Sequence, residues 1–139
     1  MVDNGLSVTM LPARHGDSLW VEWGPADDRH RMLVDGGPRR TYDTVRQRLL
    51  ALDPDDRRLD LMVVTHVDLD HIDGAIKLLR NDSLDVSYGD IWFNDYRHLD
   101  PDHPDLDLDE ETRGGIQGEF LAALLDQRRS SRDSSRCRS

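Results

Sequence analysis

The chain has 139 residues with 37% hydrophobic side chains, enough for one modest core and too few for two independently folded domains. Acidic residues outnumber basic ones 28 to 18, a formal net charge of −10, which argues against a nucleic-acid binder held by a basic surface. No uninterrupted apolar run comes near the roughly 20 residues a membrane helix needs.

The acidic start, Met1 to Gly5, lacks the basic and apolar regions of a secretory signal, and a single Cys137 leaves no intrachain disulfide. A reducing cytoplasm is the expected setting.

Along the chain, Leu6 to Leu11, Ser18 to Trp23 and Arg31 to Val34 read as short strands of an antiparallel meander. They are divided by the turn signals Arg14-His15-Gly16-Asp17 and Gly24-Pro25-Ala26-Asp27-Asp28. Beyond Asp35-Gly36-Gly37-Pro38 the period changes. Val45, Leu49, Leu50 and Leu52 predict a helix from about Tyr42 to Leu52, with Thr41 as its cap. Leu59 to Thr65 reads as a buried central strand, Asp73 to Arg80 as a helix, and Asp90 to Phe93 as another strand.

The acid-rich stretch Leu99 to Glu111 contains Pro101 and Pro104 and reads as an exposed loop. Its Asp105, Asp107 and Asp109 imitate the opening of a calcium loop, but Glu110 and Ile116 stand where that loop needs Gly and Glu. Ile116, Phe120, Leu121, Leu124 and Leu125 trace one face of a last helix. Residues 1–126 therefore form the expected folded body, and the Arg- and Ser-rich tail 127–139 is expected to be disordered.

Chemistry concentrates in Thr65-His66-Val67-Asp68-Leu69-Asp70-His71-Ile72-Asp73-Gly74, where a buried strand hands over to a helix. In an extended segment, residues two apart share a side, so His66, Asp68 and Asp70 would project together while His71 turns off at the helix entrance. Imidazole and carboxylate suit zinc, manganese or iron. The spacing allows two ions, one on His66 with Asp68 and one on Asp70 with His71. The plain alternative is that a chain so rich in Asp produces this spacing by accident, in which case it is an acidic structural protein.

This segment resembles the signature of the metallo-β-lactamase-fold hydrolases, His-x-His-x-Asp-His after a buried strand, with Asp68 in place of the second His. That departure is similar to the branch containing the hydrolase-like domain of bacterial competence DNA-uptake channel proteins. Gly16-Asp17-Ser18 and Leu33-Val34-Asp35-Gly36-Gly37 stand where that branch has matching elements, so the resemblance covers about residues 6 to 94.

The resemblance implies an α+β fold, an αββα sandwich of which this chain holds the first half only. It also implies a metal-dependent hydrolase in which Asp70 binds metal and orients the attacking water. Zinc is the expected ion, two being accommodated, with manganese or iron as alternatives; the substrate is a small molecule or a phosphodiester. Asp35 and Asp17 are either carboxylates that fix a ligand imidazole or plain turn residues.

Family members complete the site from the second half of the fold, whereas a catalytic zinc needs three protein ligands and this motif offers about two per ion. The chain thus reads as a truncated member, catalytically active or reduced to a metal-binding or interaction module. Self-association or a partner would complete its fold.

Overall fold

The computed structural model describes residues 5–93 and 118–128. Five strands form one mixed sheet in the order β1-β2-β3-β4-β5. Strands β1 (Ser7–Met10), β2 (Leu19–Trp23) and β3 (His30–Val34) are the expected antiparallel meander. Helix α1 (Thr41–Leu50) then crosses to β4 (Arg58–Val64), and α2 (Leu69–Arg80) crosses to β5 (Ser87–Phe93). Both crossovers give parallel pairings, so β4 is flanked on each side by a parallel neighbour. A third helix, α3, occupies 118–128. Among the described residues no helix is long and apolar enough to cross a membrane.

One cross-sheet row, Thr9–Trp20–Leu33–Met62–Ile91, faces the helices. Trp20, Leu33 and Met62 pack there with Val45 and Leu49 of α1, Ile72, Ala75 and Leu79 of α2, and Leu121 of α3 in a single core. Burial of these side chains, each worth about 1.5–3 kcal/mol, is what holds α1 and α2 on the same face. The opposite face carries two more rows, Val8–Val21–Met32–Leu61–Asp90 and Met10–Leu19–Val34–Val63–Trp92. These are almost wholly apolar, and their ends are exposed: Val8 by 57%, Met10 by 76% and Trp92 by 59%.

Four local expectations change. Thr41 does not cap α1; Arg40 holds that position, and the buried Thr41 hydroxyl donates instead to the Pro12 carbonyl at 2.9 Å. Strand β5 starts at Ser87, three residues before the apolar pattern does, because the β4 backbone supplies its partners from Arg58 onward. Helix α2 starts at Leu69, four residues earlier than predicted, with the His71 and Ile72 amides both donating to the Asp68 carbonyl. Gln127 and Arg128, expected in the tail, continue α3; the Arg128 guanidinium donates to the Leu79 carbonyl and lies 3.1 Å from the Asp82 carboxylate. The acidic stretch Leu99 to Glu111 and residues 129–139 lie outside the described residues.

Candidate metal centre

The site forms where β3 and β4 end side by side and α2 begins. Parallel pairing of Val34 with Val63 brings Asp35, the next residue on β3, beside Thr65 and His66 at the end of β4. The Asp35 amide donates to the Val63 carbonyl at 2.8 Å, and Asp35 then turns with φ of 56°, a left-handed conformation that Asp tolerates better than most residues. This turn sends Gly36 and Gly37 along the first turns of α2. The Gly36 amide donates to the His71 carbonyl at 2.9 Å, and the Gly74 amide to the Gly37 carbonyl at 2.9 Å. A Cβ on Gly36 would lie 2.0 Å from the Ala75 nitrogen, so the loop and helix approach this closely only through glycine.

Asp35 is 2% exposed, and its carboxylate collects three hydrogen bonds. Oδ1 accepts from the Thr65 amide at 2.7 Å, while Oδ2 accepts from the Thr65 hydroxyl at 2.5 Å and faces His71 Nδ1 at 3.2 Å. Thr65 Oγ1 also lies 2.7 Å from His66 Nδ1. Proton bookkeeping then sets both tautomers. The one hydroxyl proton of Thr65 goes to Asp35, so Thr65 Oγ1 accepts from His66 Nδ1–H, and His71 Nδ1–H donates to Asp35. Both imidazoles are left with Nε2 as a bare lone pair.

The two rings sit with centroids 5.0 Å apart, and Asp35, His66 and His71 each offer a donor atom within 4.8 Å of the others. Asp70 Oδ1 lies 3.9 Å from His71 Nε2, the nitrogen that carries the lone pair. Nitrogen and oxygen donors of this kind suit a divalent transition metal. A buried carboxylate that bonds one imidazole directly and a second through a hydroxyl is an arrangement that orients metal ligands.

The sequence-predicted residues divide in the structure. His66, His71 and Asp35 come together, and Asp70 flanks them from the first turn of α2. The early start of α2 removes the expected extended alternation: Asp68 is its exposed N-cap, and Asp70 sits on the helix instead of on a strand. Asp17 is exposed and makes no hydrogen bond or ion pair among the described residues. Its neighbour Gly16 touches α2 so closely that a Cβ there would lie 1.8 Å from the Asp70 carbonyl oxygen.

Thr65 carries a linking role that the sequence did not show. A hydroxyl residue before a histidine at a strand end is a weak signal, and only the tertiary position of Asp35 gives it meaning. His30, the first residue of β3, stacks on Trp23 and faces Asp60 at 3.3 Å.

Compared with models of protein families, with curated proteins and with solved structures, the chain has no match in any of the three.

Proposed function

We propose that the chain is a metal-dependent hydrolase of metallo-β-lactamase-like architecture, with zinc as the first candidate ion and manganese or iron as alternatives. The observation that carries this reading is the bond network from one buried carboxylate: Asp35 holds His71 directly and His66 through Thr65, each by its Nδ1, which leaves both Nε2 atoms outside this network. His66, His71 and Asp70 would hold the ion, two imidazoles and a carboxylate being the count a catalytic zinc takes from protein. When bound, it would supply Lewis-acid polarisation of an ester and acidify a water toward neutrality. Asp70, its backbone held against Gly16, would orient the attacking water. Asp68, exposed at the head of α2, remains a candidate ligand for a second ion.

The two apolar rows on the sheet face opposite the helices support reading this sheet as one half of an αββα sandwich, completed by a second apolar sheet from a partner or another copy. The substrate is a small-molecule ester or phosphodiester.

Elemental analysis of the purified chain, paired with turnover of an activated phosphodiester under added zinc or manganese, tests the reading. One ion per chain, lost in His66→Ala, with turnover lost in His66→Ala and Asp70→Ala, is the expected result. Stoichiometric metal without turnover would leave a binding module, and no metal would overturn both.

A further inference from the structure

Beside Asp70, a groove of about 580 Å³ runs between the turn after β1 and the start of α1. Arg14, Arg39 and Arg40 line it, with Asp70 and Asp73 of α2 at its far wall. Three arginines thus border one groove on a chain whose net charge is −10. Most other cations of the described residues are engaged: Arg31 with Glu22 and Asp56, Arg58 with Asp60, Lys77 with Asp43, and Arg48 over the Trp20 ring. Arg14, Arg39 and Arg40 form no ion pair among the described residues, although Asp70 and Asp73 border the same groove.

Their placement also runs against local electrostatics. Arg40 is the N-cap of α1 with no side-chain capping bond, and Arg39 precedes it, so two positive charges sit at the positive end of the helix dipole. Arg14 holds a left-handed φ of 54°, a costly conformation for a long side chain. The two sides of the groove are tied together nonetheless, because the buried Thr41 hydroxyl at the start of α1 donates to the Pro12 carbonyl. Unpaired cations kept in unfavourable positions along one groove are the pattern of a site waiting for an anion.

We propose that this groove binds the phosphoryl group of a small phosphate ester, with Arg39 and Arg40 as the principal anchors and Arg14 closing the opposite side. The proposal rests on the metal-hydrolase reading for its catalytic meaning, since the groove opens onto Asp70. Planar guanidinium forks match phosphate oxygens in pairs, as a lysine head does not. The volume suits one phosphoryl group with its ester, and the acidic remainder of the chain repels a long polyanion.

Calorimetric titration of the full chain with inorganic phosphate at low ionic strength tests this, on metal-free and zinc-loaded protein. One phosphate site per chain is expected in both forms. In the metal-free form its affinity should fall at least ~10-fold in Arg39→Gln/Arg40→Gln. It should stay unchanged in Arg46→Gln, an exposed α1 arginine outside the groove. All these arginines are exposed, so far-ultraviolet circular dichroism should show the fold retained.

Equal losses in the groove pair and in Arg46→Gln, or no loss in the pair, would overturn the proposal. A single-stranded oligonucleotide that binds more tightly than phosphate and is weakened equally by Arg46→Gln would overturn its small-molecule form. Zinc content separates the two readings. Phosphate bound through the arginines by a chain that takes no zinc sinks the metal reading alone. Phosphate bound only with zinc, and lost in His66→Ala/His71→Ala while the arginine pair has no effect, sinks the groove alone.

Discussion

Asp35 and His71 are 36 residues apart in sequence and meet at 3.2 Å, carboxylate to imidazole, at the junction of a strand end and a helix start. The pairing decides which nitrogen of His71 is free, and through Thr65 it decides the same for His66.

Asp35→Asn isolates this effect, because Asn tolerates the same left-handed φ of 56° and so keeps the turn while losing the charge. The expected outcome is a 10–100-fold loss of zinc affinity, the usual cost of removing a carboxylate behind a ligand histidine. Competition titration against a chromophoric chelator measures it, and an unchanged affinity would remove Asp35 from the site.

Thr65→Val keeps the β-branched shape and deletes the hydroxyl between Asp35 and His66. Zinc affinity should drop by about tenfold, and Thr65→Ser should restore it, since the hydrogen bonds need only the oxygen. If valine and serine behave alike, Thr65 acts through packing alone.

Gly74→Ala places a Cβ 2.0 Å from the Gly36 carbonyl oxygen, and Gly36→Ala places one 2.0 Å from the Ala75 nitrogen. Neither neighbour is a flexible side-chain tip, so the loop and α2 must separate. Each change is expected to cost about 3 kcal/mol, near the top of the overpacking range. Thermal unfolding would show this as a fall in Tm of roughly 10 °C, and zinc affinity should fall with it because Asp35 moves with Gly36.

Acid stability should depend on Asp60. Burial works against its charge, yet the Arg31 amide, the His30 ring and the Arg58 guanidinium together hold its carboxyl below the ordinary carboxylate value. A folded-state pKa below the unfolded one means that its contribution is present above the unfolded value of about 4 and is lost as pH falls through the folded value. Asp60→Asn should therefore lower stability by about 1 kcal/mol at pH 7 and matter progressively less toward pH 3. Urea denaturation at the two pH values reads the difference.

Much of the fold was legible because burial repeats locally. The alternation in Ser18 to Trp23, the Val-rich run ending at Val64, and Val45 with Leu49 each declare an element from its own residues. Boundaries failed where a neighbour supplied the missing reason. Ser87 joins β5 because Arg58 faces it across the ladder, and Leu69 enters α2 because the Asp68 carbonyl is free to accept from His71 and Ile72.

By itself the chain's order of residues determined one domain, a meander followed by strand-helix alternation, and a cluster of His and Asp at a strand-to-helix junction. Only tertiary structure decided which members of that cluster share a centre, because Asp35 reaches His66 and His71 through the β3–β4 register and the glycine contacts with α2. Tertiary structure also decided that Arg14 lines the same groove as Arg39 and Arg40. Short-range spacing reports which way neighbouring side chains point along one element, whereas the donor geometry of a site depends on how separate elements pack.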